Sequence, residues 1–185
     1  MISTGICNGF GFDEGSGPYL MVDQQEVHAI HWTRTCIPLR HTSVDIKLLS
    51  QQYCTGYCKL SENVTYPCPQ RKTISAKFKV CWDCFKLTGF NPAFYKNEKS
   101  ELSNAQLRYN NNPHYVYLAA FDKDCFKVGI ACSIRLFQRL TEQGARLATV
   151  IALLPDAYQA RKMEETIQHE YLIPDRVTKK KRLRQ

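Results

Sequence analysis

The chain has 185 residues, of which 44% are hydrophobic and 11% aromatic, and its formal net charge is +8 at pH 7. This length suits one medium domain or two small ones, and the apolar content excludes a disordered chain. The longest apolar run, at 148–154, is too short to cross a bilayer. We expect a soluble cytoplasmic protein with no membrane contact, and the basic excess favours nucleic acid as a partner because Lys and Arg release condensed counterions from phosphates.

Residues 1–50 predict a β-rich segment. Two apolar runs, at 18–23 and 26–32, flank a polar turn. Further along, the stretch 44–48 alternates apolar and polar residues, which is the two-residue period of a strand with one buried face. This part of the chain shows no catalytic motif.

Residues 51–95 contain five cysteines at short spacings. Cys81 and Cys84 have the two-residue gap of a zinc knuckle, in which two thiolates on one tight turn take adjacent tetrahedral positions. Three more precede them, at Cys54, Cys58 and Cys68. We expect the chain not to be exported, and in such a chain this clustering favours metal binding over disulfides. Five thiols compete for four positions, and spacing alone pairs Cys54 with Cys58.

Four thiolates around one ion leave no open coordination position. The predicted site is therefore a structural zinc ribbon and not a catalytic centre. Its role would be to fold a segment that is too poor in apolar residues to fold alone. The next segment, 96–113, is polar and rich in asparagine with no apolar period, and it predicts a linker or surface loop.

Residues 114–185 form the most regular part and predict the order strand, strand, helix, strand, helix, followed by a basic tail. A hairpin occupies about 115–130. Ser133 is the predicted N-cap of the first helix, and Gly144 is its C-terminal breaker. The buried side of that helix is predicted at three positions, Leu136, Phe137 and Leu140.

The stretch 146–154 predicts a buried strand, and the second helix begins after Asp156. Gln159 follows that aspartate at the spacing of a capping box. Apolar residues then recur at three- and four-residue steps and predict the core face of the helix: Ala160, Met163, Ile167 and Tyr171.

Three short motifs occur in order in this segment: YVY at 115–117, KVG at 127–129 and ARKMEETI at 160–167, with an arginine-bearing helix between the last two. Their arrangement resembles the GIY-YIG fold over about 114–171. From Cys54 onward, the motifs CTG, PCP, CWDC, HYVYLA, KVGIA, EQGA and PDAYQARKMEE resemble an uncharacterised bacterial family of zinc-binding proteins with a GIY-YIG-like C-terminal half.

The residue patterns and the resemblance together predict an α+β fold: the patterns give a β-rich N-terminal segment and a cysteine-cluster zinc ribbon, and the resemblance implies a GIY-YIG-like ββαβα domain. The family resemblance would leave Cys58 unused and assigns zinc to four cysteines, Cys54, Cys68, Cys81 and Cys84.

In GIY-YIG nucleases a glutamate holds a divalent ion, Mg²⁺ or Mn²⁺, a tyrosine helps to deprotonate water, and an arginine stabilises the developing charge. By position, the resemblance implies that Tyr117 is the first-strand tyrosine, Gly129 the glycine of the second triplet and Glu164 the metal-binding glutamate. For the arginine, the spacing from Gly129 allows Arg135 or Arg139, and Arg139 is preferred. The two lie four apart, so both project from one face of the predicted helix.

Lys127 stands where nucleases of this fold usually have their second tyrosine. A lysine ammonium group, with a reference pKa of about 10.4, can hold a phosphate but is a poor base near neutrality. We therefore expect Lys127 and Arg135 to bind nucleic acid, DNA or RNA. The expected function is that of a nucleic-acid-interacting zinc protein and divalent-metal-dependent endonuclease; the alternatives are a non-catalytic nucleic-acid binder and a zinc-stabilised protein-interaction module.

Overall fold

The computed structural model describes four parts of the chain: residues 5–25, 31–60, 62 and 64–177. The fold is mixed α+β, and the chain divides into two compact units, Met1–Asn91 and Pro92–Gln185. In the described part, none of the helices combines the length and the apolar character needed to span a membrane. The predicted basic tail lies outside the described residues.

The N-terminal unit begins with a three-stranded antiparallel sheet of β1 (Ile6–Asp13), β2 (Gly17–Gln25) and β3 (Trp32–Pro38). The strand predicted at 18–23 is confirmed and is the central strand, β2. The run predicted at 26–32 lies mostly outside the described residues, although β3 begins at its last position.

The strand predicted at 44–48 is wrong. These residues have no regular secondary structure, and the exposed fractions of Val44, Ile46 and Leu48 are 44%, 59% and 92%. An alternating pattern shows which face of a strand would be apolar, but a strand also needs a neighbour with which to form backbone hydrogen bonds. Without that neighbour the residues form no sheet.

Short elements surround the clustered cysteines in the second half of this unit. Two small antiparallel sheets pair β4 (Gln52–Tyr53) with β7 (Thr73–Ile74), and β5 (Tyr57–Lys59) with β6 (Val64–Tyr66). Helix α1 (Trp82–Thr88) follows and ends at Gly89, which has a left-handed backbone with φ of 62°. Buried cysteines form the centre of the core in this region, so the small sheets have little apolar packing of their own.

The C-terminal unit begins with short helical turns in the segment that the sequence predicts as a linker, 96–113. Helix α2 (Asn104–Asn110) is capped by Ser103, whose hydroxyl accepts a hydrogen bond from the Gln106 N–H at 3.2 Å. Before it, Leu102 is buried together with Phe94 and Ala157. The segment is therefore packed against the rest of the unit. A few apolar contacts are enough to hold it there, and so few apolar residues produce no periodic pattern in the sequence.

A three-stranded antiparallel sheet forms the centre of the C-terminal unit, in the spatial order β10, β8, β9. The elements follow one another along the chain as β8 (His114–Asp122), β9 (Cys125–Cys132), α3 (Leu136–Gln143), β10 (Leu147–Leu154) and α4 (Ala157–Tyr171). One core cluster contains Tyr117 and Phe121 with Leu136 and Leu140 of α3 packed against it.

The other cluster contains Val116, Val128 and Ala160, and Met163 and Ile167 of α4 pack against it. The predicted core positions Ala160, Met163 and Ile167 are confirmed. The prediction that Tyr171 lies in the core is wrong, since 68% of this residue is exposed at the last turn of α4. On α3, likewise, Leu136 and Leu140 are confirmed but Phe137 is exposed.

The helix boundaries follow local chemistry where a cap is present. Gly144 ends α3 with φ of 68°, and Asp156 caps α4 by accepting a hydrogen bond from the Gln159 N–H at 2.8 Å, so both predictions are confirmed. Ser133 is not the cap of α3, because a 3₁₀ turn over Ser133–Arg135 precedes the helix. The strand at 146–154 exists as β10 but is exposed and not buried, because the helices of this unit pack mainly against β8 and β9.

His114, at the start of β8, gives the C-terminal unit a predictable pH dependence. Its side chain is 3% exposed, its Nδ1 lies 2.8 Å from the Asn112 carbonyl oxygen, and burial lowers the pKa of His114 below its ordinary value of 6.5. The unfolded chain therefore binds more protons between the two pKa values, and the free energy of unfolding falls as the pH drops below about 6.5.

We expect this loss to be absent in His114→Gln, which cannot titrate. Denaturant unfolding of both proteins from pH 5 to 8 should give a stability difference that is constant above pH 7 and shrinks as the pH falls. His169→Gln, at an exposed position of α4, is the matched control and should keep the wild-type slope. An unchanged slope in His114→Gln would contradict the assignment.

Candidate functional sites

Four cysteines of the N-terminal unit converge. The Sγ atoms of Cys54, Cys68, Cys81 and Cys84 all lie within 4.8 Å of one another, and all four residues are buried. The Cys68 and Cys81 sulfurs are 4.0 Å apart, about twice the length of a disulfide bond of about 2.05 Å, so these are free thiols.

Short turns and one helix end hold these sulfurs in place. Cys54 follows β4, Cys81 is the N-cap residue of α1 and Cys84 lies in the first turn of that helix. The backbone N–H groups of Gly56 and Cys81 donate to the Cys54 Sγ at 3.4 and 3.1 Å. Gly56 has φ of 88°, and a Cβ there would lie 1.9 Å from the Tyr66 carbonyl oxygen, so only glycine fits beside this sulfur.

The donor set fits a metal ion such as zinc. A tetrahedral ion with sulfur at about 2.3 Å needs sulfurs about 3.8 Å apart, close to the observed spread. Burial raises the pKa of Cys54 and of Cys84, whereas for Cys81 the opposing effect of burial is outweighed by hydrogen bonds from the Cys84 N–H and the neighbouring thiols, which lower its pKa. Four buried thiolates need a cation to compensate their charge, and a bound metal would supply it.

Cys58 does not belong to this group in the described part of the chain. It lies on β5, half-buried, and its backbone N–H donates to the Thr88 hydroxyl at 3.2 Å. The hairpin of β5 and β6 pairs Tyr57 with Tyr66, which returns the chain beside its starting point and brings Cys68 to Cys54. Spacing alone pairs Cys54 with Cys58 as metal ligands, but the structure places Cys68 beside Cys54 instead.

The tyrosine and the glycine of the C-terminal hairpin are neighbours across the two strands. Tyr117 pairs with Gly129 in the register of β8 and β9 and is 1% exposed. A Cβ at Gly129 would lie 2.6 Å from the Tyr117 hydroxyl, so the glycine provides the space in which the phenol ring lies. The Gln143 side-chain amide donates to that hydroxyl at 3.1 Å.

Two further predicted residues act on the same phenol. Burial raises the pKa of Tyr117; the hydrogen bond with Gln143 and the nearby Arg139 guanidinium lower it, and the Glu164 carboxylate raises it. The side chains of Arg139 and Glu164 are therefore close enough to Tyr117 to act on its charge. A buried phenol with a raised pKa is a weak base near neutrality.

Glu164 is buried on α4, with an exposed fraction of 4%, on the same face as Ala157 and Ala160. Its carboxylate forms an ion pair with Arg161, whose Nε also donates to Glu165 at 3.1 Å. Burial raises the pKa of Glu164, and among the neighbouring charges Arg161 and Lys127 lower it. Arg161 is not among the predicted site residues, although its three-residue spacing from Glu164 is the signal that marks a helical ion pair.

The remaining two predicted positions have other protein partners. Lys127 is 6% exposed, and its Nζ donates to the Asp175 carbonyl oxygen at 3.3 Å. Arg135 forms an ion pair with Glu142 at 3.4 Å. The structure thus brings Lys127 into the electrostatic environment of Glu164, while Arg135, in the 3₁₀ turn before α3, is engaged with Glu142 of that helix.

Comparisons with known proteins give one match. Residues 41–185 match the family DUF2797, which is described as a protein of unknown function. No curated protein and no solved structure matches the chain. The matched region includes the four clustered cysteines and the Tyr117 environment, and it begins after β3, so the N-terminal sheet lies outside it.

Metal content distinguishes the two candidate fourth ligands. We expect Cys68→Ser to lose most of the bound metal, because it removes one of four converging sulfurs, whereas Cys58→Ser should keep about one metal ion per chain. Elemental analysis of both purified variants provides the measurement. Loss of metal from Cys58→Ser with retention in Cys68→Ser would contradict the observed cluster.

Proposed function

This chain belongs to the DUF2797 family of proteins of unknown function, and we propose that it is a zinc-stabilised protein that binds nucleic acid through a GIY-YIG-like C-terminal unit without hydrolysing it. The proposal has three parts: the identity of the metal, the kind of ligand and the absence of cleavage. Each is supported by different residues.

Zinc is the metal that four cysteines suit best. Thiolates are soft ligands, and a set of four sulfurs without oxygen favours zinc over magnesium or calcium. The four positions are filled by protein atoms, so the ion would stabilise the fold and take no part in chemistry.

The likeness to GIY-YIG domains is supported by the order of elements and by one cross-strand pair. The first strand of the sheet, β8, is central and bears Tyr117, and its neighbour β9 provides Gly129 opposite it. Arg139 on the following helix and Glu164 on the last one both act on the Tyr117 phenol. A fold of this kind indicates phosphate handling by analogy, and the chemistry depends on the individual residues.

The burial of Glu164 and its ion pair with Arg161 favour nucleic-acid binding without cleavage. Metal-assisted hydrolysis needs a carboxylate that is free to hold a divalent ion beside the phosphate. Glu164 is 4% exposed and already neutralised by Arg161. Tyr117 is equally inaccessible, and Lys127 replaces the second tyrosine with a group that can bind a phosphate but not readily accept a proton.

The charge that would attract nucleic acid is unevenly distributed. Of the net charge of +8, five come from the tail, from Lys179, Lys180, Lys181, Arg182 and Arg184. Three positive charges remain on the rest of the chain. The tail should therefore provide most of the non-specific phosphate affinity, to which the exposed Arg139 adds at the folded surface.

A divalent-metal-dependent endonuclease is the second candidate. The electrostatic effect of Arg139 and Glu164 on the Tyr117 phenol favours it, because a phenol, a guanidinium and a carboxylate are the groups that phosphodiester hydrolysis uses. Mg²⁺ or Mn²⁺ would then be held at Glu164, in competition with Arg161.

Binding is tested by salt dependence. We expect affinity for labelled duplex and single-stranded DNA and RNA to fall steeply as salt rises from 50 to 300 mM. Replacing the five basic residues of the tail with Gln in the full chain should flatten the logarithmic slope for duplex by roughly 4, since each phosphate contact contributes about 0.9. Weak binding with no salt dependence would contradict the proposal and favour a protein-interaction module.

Cleavage is tested with the same substrates, and with branched ones, in Mg²⁺ or Mn²⁺. We expect no product from the wild type. Glu164→Gln and Glu165→Gln are a matched pair, because both remove a carboxylate that contacts Arg161. Cleavage that is lost in Glu164→Gln and kept in Glu165→Gln would establish the endonuclease and overturn the proposal of binding alone.

A further inference from the structure

An aspartate is completely buried in the central strand of the N-terminal sheet. Asp23 on β2 is 0% exposed, and its carboxylate accepts two hydrogen bonds from Arg34, at 2.7 and 3.0 Å, and one from Arg71 at 2.6 Å. The two arginine side chains are themselves less than a tenth exposed. A buried carboxylate with two guanidinium partners is a fixed cross-link between distant parts of the chain.

Each arginine also contacts a loop that holds one of the clustered cysteines. Arg34 donates from Nη2 to the Thr55 carbonyl oxygen at 2.7 Å, one residue after Cys54. Arg71 lies three residues after Cys68, and its backbone N–H donates to the Cys68 carbonyl oxygen at 3.1 Å. The carboxylate of Asp23 is therefore connected to both loops, each through one arginine.

Aromatic rings complete the setting of Arg71. Its guanidinium lies 4.3 Å from the ring centre of Trp32 and 5.7 Å from that of Tyr53. Its Nε and Nη2 atoms are buried and form no hydrogen bond in the described part of the chain. Asp23 and the two rings thus determine the orientation of Arg71, whose backbone has a left-handed φ of 48°.

We infer that Asp23 is a positioning residue for the metal site: through Arg34 and Arg71 it holds the Cys54 and Cys68 loops at the separation that brings the thiols together. The N-terminal sheet, outside the family match, is thereby coupled to metal binding. By reciprocity, the metal stabilises the contacts of the sheet with these loops. The inference rests on a metal ion at the four cysteines and is independent of nucleic-acid binding.

A purely electrostatic role of Asp23 predicts the opposite sign. Four thiolates around a divalent ion carry a net negative charge, so removal of a neighbouring carboxylate would leave the two arginines freer to compensate that charge and would tighten metal binding. The positioning role predicts weaker binding, because the loops lose their common anchor. The direction of the change separates the two roles.

The test measures zinc affinity by competition with a chelator in the full chain. We expect Asp23→Asn to bind zinc at least tenfold more weakly than the wild type. Asp13→Asn is the matched control: it removes the same charge from the same sheet, at an exposed turn where Asp13 accepts hydrogen bonds from Gly15 and Ser16, and it should keep wild-type affinity. Unchanged or tighter binding in Asp23→Asn would overturn the inference.

A second measurement needs no change at Asp23 and applies if that variant fails to fold. The chain has two tryptophans, and Trp82→Phe leaves Trp32, which lies against Arg71, as the single reporter. Trp82 is mostly exposed and stacks on Phe85, so phenylalanine can replace it. As a chelator removes zinc, the emission of Trp32 should shift to the red in step with metal loss. Emission that stays constant while zinc is lost would contradict the coupling.

Discussion

Each buried charge of this protein needs a specific partner, and the fold is arranged around those partners. Asp23 is compensated by Arg34 and Arg71, and Glu164 by Arg161. The four clustered thiols follow the same rule, since their deprotonated form requires a cation at the centre. Removing one partner from such a pair leaves an uncompensated charge in a low-dielectric interior, which costs about 3–5 kcal/mol.

This constraint gives the two units different kinds of site. In the N-terminal unit four buried cysteines lie close together and could hold a metal ion, which would compensate their charge. In the C-terminal unit the chain provides Arg161, and the carboxylate that hydrolysis would use is engaged with it. A tyrosine, an arginine and a glutamate can therefore share one electrostatic environment without forming a site that is open to a divalent ion.

The sequence predicts those features whose causes are local. Gly144 and Asp156 end or begin helices through their own backbone and side-chain chemistry, and the hairpin predicted at about 115–130 joins two strands that follow each other directly along the chain. Features that need a distant partner were not predicted. Asp23 and Arg71 are 48 residues apart, the exposure of β10 depends on which strands the helices cover, and the stretch 44–48 lacks a neighbouring strand.

We propose that Arg161 keeps Glu164 from acting as a metal ligand, and direct measurement of Mn²⁺ binding tests this. Titration followed by electron paramagnetic resonance should show the same weak Mn²⁺ binding in the wild type, Glu164→Gln and Glu165→Gln. A specific Mn²⁺ site that is present in the wild type and Glu165→Gln but lost in Glu164→Gln would contradict the account.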